Sequence, residues 1–154
     1  MKRKTRLVGS VAAAGIALIG AWEGLRLTAY RDVVGIPTVC YGETYGVKMG
    51  DKHTKAECNK MLLDSMRKHE YGMRKCLKNP DAIPQESYVA FVSLTYNIGV
   101  GAFCRSTAAK RLNRGDIRGA CDAATWFKKA GGRTIRGLVN RRAAEHKLCL
   151  KGLE

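Results

Sequence analysis

The stretch EGLRLTAYRDVVGIPTVCY, residues 23–41, sets a glutamate, an aspartate and a threonine around two breaks in regular structure. Upstream of it an uncharged run looks helical from about Ala13. Gly24 is the residue type a helix uses to stop in the left-handed conformation. Glu23 is therefore expected on the last helical turn, facing the negative end of the helix dipole, with Trp22, Leu25 and Leu27 around it. Both surroundings favour the carboxylic acid over the carboxylate, and a glutamate held protonated near neutral pH is what general acid catalysis requires.

After Gly24 the residues alternate in short β-like steps, Leu27 to Tyr30 and Ile36 to Tyr41, with Val34-Gly35 as a tight turn between them. The expected product is a hairpin with Asp32 just before the turn and Thr38 just after it. A carboxylate and a hydroxyl could then converge on a pocket that Glu23 enters from the helix side. One protonated and one ionised carboxyl flanking a bond is the acid and base pair of glycoside hydrolysis. Taken on spacing alone, Glu23 and Asp32 read more readily as solvated acids beside a turn.

The run EGLRLTAYRD followed by Gly, Thr and Tyr-Gly resembles the phage-type lysozymes, the muramidases of glycoside hydrolase family 24. The likeness continues through YNIG (Tyr96 to Gly99), FCRST (Phe103 to Thr107), GACDAATWFKKAGG and GLVNRRAAE (Gly137 to Glu145), and covers about residue 15 to the end. It implies an α+β, mainly α, two-lobed lysozyme fold. A small β-hairpin lobe and a larger helical lobe would be joined by a long helix. Its catalytic set, carried onto this chain, is Glu23, Asp32 and Thr38. Tyr96, Asn97 and Ser106 would line the sugar groove, whereas the residues by themselves give Tyr96 a core role and Ser106 only a helix cap. Arg141 would approach the catalytic glutamate and favour its charged form, against the dipole and burial effects above. Without the resemblance, Arg141-Arg142 reads as a basic pair on a solvated helix face. The chain departs from the family at Glu43, where many members carry a histidine. Hydrolysis implies no cofactor and no metal. The substrate implied is the β-1,4 bond between N-acetylmuramic acid and N-acetylglucosamine in peptidoglycan, cleaved with inversion.

The organisation expected is an export or anchor-like segment with the first helix over residues 1–22, the small lobe over 23–54, the linking helix over 55–76 and the helical lobe over 77–154. Residues 42–53 read as a loop or a third short strand. Thr54 and Glu57 form a capping box that opens a helix to about Lys75, on which Cys58, Met61, Leu62, Met66, His69 and Met73 recur at helical spacing. His69 fits a packed or edge histidine better than a metal ligand. Gln85 to Asn97 should be the central helix of the larger lobe, stopped by Gly99 and Gly101. Ser106 caps a short helix to about Asn113, and Asp116 caps one reaching Ala130. Gly131-Gly132 provide a turn, and Leu138 to Leu150 form the last helix.

Lys and Arg exceed Asp and Glu by 28 to 13, a net charge of +15. That favours polyanionic partners, yet no helix-turn-helix, zinc-knuckle or aromatic-basic strand is present. Peptidoglycan therefore fits better than nucleic acid. Lys2, Arg3, Lys4 and Arg6 precede sixteen uncharged residues, Leu7 to Trp22. As a helix this run would be about 24 Å long, short of the ~30 Å hydrocarbon core. It is readable as a releasable inner-membrane anchor with Ile16, Ile19 and Trp22 later packing into the enzyme, as a signal cleaved near Ala12 or Ala14, or as an ordinary first helix. The resemblance reaches most closely to secreted signal-anchor-release endolysins of phages of Gram-negative hosts. It implies a phage or prophage gene, a monomer, and passage from the host inner membrane to the periplasm.

Six cysteines, Cys40, Cys58, Cys76, Cys104, Cys121 and Cys149, lack CxxC spacing and suit an oxidising compartment. Of fifteen connectivities, pairing of chain neighbours is expected. On the implied architecture it puts one bridge within the small lobe, one at the base of the long helix and one between helices of the large lobe. Two other readings stay open: a lytic transglycosylase needing only Glu23, and a non-enzymatic cationic protein that binds the envelope or disrupts membranes.

Overall fold

Helix α1 (Gly9–Glu23) follows from a run with no charge and no proline, and it begins four residues before the expected Ala13. Val8 is extended, and Gly9, at φ 52°, turns the chain into the helix. In this computed structural model, which describes residues 3–154, α1 ends as expected: Gly24 adopts φ 75° and its N–H returns to the Gly20 carbonyl. Lys2 of the basic run lies outside the described residues. Only Ala12, Gly15 and Ile19 of α1 are buried. Two glycines let the helix approach its neighbours. A Cβ on Gly15 would come within 2.4 Å of Met66 Cε, and one on Gly20 within 3.0 Å of the Tyr41 ring. Ile19 packs as expected, but Trp22 is 37 % exposed. The stripe has room for a narrow set of contacts, and Trp22 falls outside it.

Strands β1 (Arg26–Arg31) and β2 (Pro37–Cys40) form the expected antiparallel hairpin, with Tyr30 opposite Thr38 and Arg31 opposite Pro37. The 42–53 segment is a loop tied to it at single points. The Val39 N–H meets the Glu43 carbonyl at 2.9 Å, and the Ala29 N–H meets the Asp51 carbonyl at 2.9 Å. Helix α2 (Lys55–Lys75) opens on the capping box: Thr54 Oγ1 accepts from the Glu57 N–H and Glu57 Oε1 from the Thr54 N–H, both at 3.1 Å. The Thr54 N–H and then His53 hold the Glu57 carboxyl below its ordinary range. Of its apolar stripe, Cys58, Leu62, Met66 and Met73 are fully buried. His69 lies half-buried with its ring 4.9 Å from that of Tyr96.

The chain forms two units, one of Leu7–Arg67 and one of residues 3–6 with Lys68–Glu154. In the second, after a 3-10 turn (Pro80–Ala82), α3 (Gln85–Ile98) is buried continuously from Ser87 to Thr95, as a central helix must be. Gly99, at φ 92°, ends it and directly starts a further short helix, α4 (Val100–Cys104), that was not expected. Next come α5 (Thr107–Asn113) and α6 (Ile117–Ala124), capped by Ser106 and Asp116 as expected. Helix α6 stops six residues short of the expected Ala130. The Thr125 hydroxyl takes the Asp122 carbonyl at 2.6 Å, and the chain then turns into a two-stranded hairpin, β3 (Lys129–Ala130) and β4 (Arg133–Thr134). Gly131 and Gly132 both have positive φ, 57° and 76°. That pair of angles is what a tight two-residue hairpin turn demands. Helix α7 (Arg136–Lys151) closes the fold, starting two residues earlier than expected.

All six cysteines are paired as expected, Cys40 with Cys58, Cys76 with Cys104 and Cys121 with Cys149. Closed loops of 18 and 28 residues correspond to about 3 kcal/mol each in chain-entropy terms. Non-reducing peptide mapping should recover these three linkages. A Cys40 to Cys149 crosslink would contradict the fold.

Candidate active site

In the unit of Leu7–Arg67, Glu23 is the last residue of α1, half-buried, and only Gly24 and Leu25 separate it from β1. The apolar neighbours expected to bury it do so weakly, because Leu25 and Leu27 are 36 % and 44 % exposed. Asp32 folds its own turn. Its Oδ1 accepts the Val34 N–H at 2.9 Å and the Ile36 N–H at 2.8 Å, and its main-chain carbonyl accepts the Gly35 N–H at 2.9 Å. An aspartate that bonds the backbone two residues on is the usual initiator of such a turn. Thr38, 4 % exposed, donates its hydroxyl to the Ile36 carbonyl at 2.8 Å. Asp32 and Thr38 are thus both tied to Ile36, one at its N–H and one at its carbonyl. The turn tip between them, Val33 and Val34, projects into solvent.

In the other unit, Tyr96 stands half-buried and Asn97 exposed on the last turn of α3. Ser106 is buried and its hydroxyl is occupied locally, donating to the Phe103 carbonyl at 2.6 Å and accepting the Ala109 N–H at 3.1 Å. Arg141 is not on a solvated face, and neither is Arg142. They are 4 % and 2 % exposed, on the inner side of α7 with Glu145, itself 2 % exposed. Arg142 Nε lies 2.7 Å from Glu145 Oε1, and Arg141 Nε lies 3.5 Å from Glu145 Oε2. The Ser93 hydroxyl donates to Glu145 Oε2 at 2.6 Å. Burial pushes the Glu145 carboxyl up and the Arg142 guanidinium down, and their mutual attraction opposes both shifts. Sequence reading singled out Arg141 but missed Glu145, Arg142 and Ser93 as one network. The i to i+4 spacing of Arg141 and Glu145 was the available signal.

The profile of the family described as Phage lysozyme matches residues 20–145. The chain is 40 % identical to the SAR-endolysin of Pseudomonas phage phiKMV over 150 residues, covering 94 % of this chain and 91 % of that protein. It is 36 % identical to the SAR-endolysin of Enterobacteria phage P21, again over 94 % of this chain and 90 % of the relative. Among solved structures, a variant of the P22 lysozyme superposes with a TM-score of 0.82 at 32 % identity, covering 97 % of this chain and 99 % of that one.

Proposed function

Because the chain belongs to the phage lysozyme family and is a peptidoglycan muramidase of host-cell lysis, we propose that Glu23 is its general acid and that Asp32 with Thr38 positions the attacking water. The observation that carries this reading is the common anchorage of Asp32 and Thr38 on Ile36, in the hairpin whose first strand follows the helix end that bears Glu23. Both backbone bonds to the Asp32 carboxylate engage Oδ1, so Oδ2 is the oxygen proposed to accept from the water. Glu23 gives its proton to the glycosidic oxygen as the bond to the anomeric carbon breaks. Water attacks the opposite face of the oxocarbenium-like centre and passes a proton to Asp32, which yields the inverted sugar. Tyr96 and Asn97 are proposed to contact the glycan. Ser106 supports that region by fixing the start of α5.

Mass spectrometry of muropeptides tests hydrolysis against transglycosylation. The products expected are reducing N-acetylmuramic ends from the native enzyme and a near-complete loss of product from Asp32→Asn. Anhydro-muramic ends formed undiminished by Asp32→Asn would establish a transglycosylase that uses one acid and leaves Asp32 idle.

We further propose that the protein is phage or prophage encoded, acts as a monomer in the periplasm, and reaches it by transient association with the inner membrane through α1. Two features support this reading. The run Leu7 to Trp22 is free of charge and preceded by basic residues, and every cysteine is in a disulfide. Among the described residues no helix is long and apolar enough to cross a membrane. At 15 residues, or about 22 Å, α1 would hold lipid only marginally, through the exposed face of Ala13, Ala14, Ala17 and Ala21.

A further inference from the structure

The basic run ahead of α1 is not a loose tail, because each of residues 3–6 contacts a residue of Lys68–Glu154. Glu70, 1 % exposed on α2, accepts the Arg6 N–H at 2.8 Å, the Thr5 hydroxyl at 2.6 Å and the Tyr88 hydroxyl at 2.5 Å. The Arg6 guanidinium donates to the carbonyls of Pro80 at 3.0 Å and Ile83 at 2.8 Å, and lies 4.2 Å above the Tyr88 ring. Arg3 stacks over Tyr71 at 4.1 Å. Lys4 pairs with Asp81, which also receives Arg74 at 2.9 Å.

We infer that Glu70, Tyr88, Tyr71, Asp81 and the carbonyls of Pro80 and Ile83 form a binding site for a basic peptide, and that its ligand is the chain's own Arg3-Lys4-Thr5-Arg6. The buried carboxylate of Glu70 sets the requirement. Two of its three donors come from Thr5 and Arg6, and a buried carboxylate short of donors is costly. Planar guanidinium groups suit the rest of the site, since Arg stacks on an aromatic face while its Nη1 group donates to two carbonyls. Burial, and then the bond to Glu70, push the Tyr88 hydroxyl well above its ordinary range, so it stays a donor at any working pH. A chain cut near Ala12 or Ala14 would lose the ligand and leave Glu70 with Tyr88 alone. Folding of this unit therefore depends on an unprocessed N-terminus.

Hydrogen exchange on the full-length folded chain tests this directly. The Arg6 amide is expected to exchange at least about 100-fold slower than an unstructured one, and trypsin should leave the Arg6–Leu7 bond intact. In Glu70→Gln the protection should fall at least about 10-fold, with release of residues 1–6 by trypsin. If Glu70→Gln does not fold, Arg6→Met, which leaves the carboxylate and Tyr88 in place, should show the same loss at the residue-6 amide. An unprotected Arg6 amide in the native chain would overturn the inference. So would undiminished protection in the variant that folds.

Discussion

Glu23→Gln is expected to lower muralytic turnover on the order of 1000-fold, within the range a positioned general acid contributes, while binding of the glycan changes little. The amide has the shape of the acid but cannot protonate the leaving oxygen, so about 4 kcal/mol of barrier returns. The fold should survive, because α1 is ended by main chain: the Gly24 N–H bonds the Gly20 carbonyl, and the substitution touches neither. Circular dichroism together with release of reducing ends from purified peptidoglycan measures both halves. An active Glu23→Gln enzyme would move the acid elsewhere, and clearing of cells without product formation would favour membrane disruption. Asp32→Asn makes a clean companion variant, because an amide oxygen still accepts from Val34 and Ile36 and keeps the turn, whereas Asp32→Ala would lose the turn as well as the charge.

Glu145→Gln is expected to be the most destabilising conservative change in the unit of Lys68–Glu154. Breaking one side of a buried ion pair costs roughly 3–5 kcal/mol, because the partner charge stays in the interior uncompensated. Here two guanidinium groups, Arg141 and Arg142, share the one carboxylate. At about 2–4 °C per kcal/mol for a chain of this size, the Tm should fall on the order of 10 °C. Arg142→Met should cost less than Glu145→Gln, since Arg141 still faces the carboxylate in it. A Tm for Glu145→Gln within about 3 °C of the native value would show that water or relaxation reaches the network.

How far sequence reading reached depended on how near in the chain each cause lies. The stop at Gly24, the capping box of Thr54 and Glu57, the caps Ser106 and Asp116, and the Asp32 turn all act within four residues, and all were legible. The cysteine pairing was legible through the resemblance, which supplied an architecture that spacing does not contain. Errors came where local signals compete. The uncharged run gave no sign of where α1 begins, Gly99 both ends α3 and starts α4, and Gly131-Gly132 read as a bare turn because flanking strands of two residues carry almost no alternation. Long-range causes stayed hidden. Ser93 meets Glu145 across 52 residues, and Arg6 meets Glu70 across 64, so a basic pair read as solvated lies in the core and a basic tail is part of the fold.

The central claim, that Asp32 and Thr38 direct a water while Glu23 protonates the leaving group, is tested most directly by following the anomeric proton of freshly cleaved glycan by NMR. Direct displacement by water from the face opposite Glu23 gives the α-anomer of N-acetylmuramic acid first, with the β-anomer growing only by mutarotation. A β-anomer formed first would mean a covalent glycosyl-enzyme or a substrate-assisted route and would contradict the assignment of Asp32.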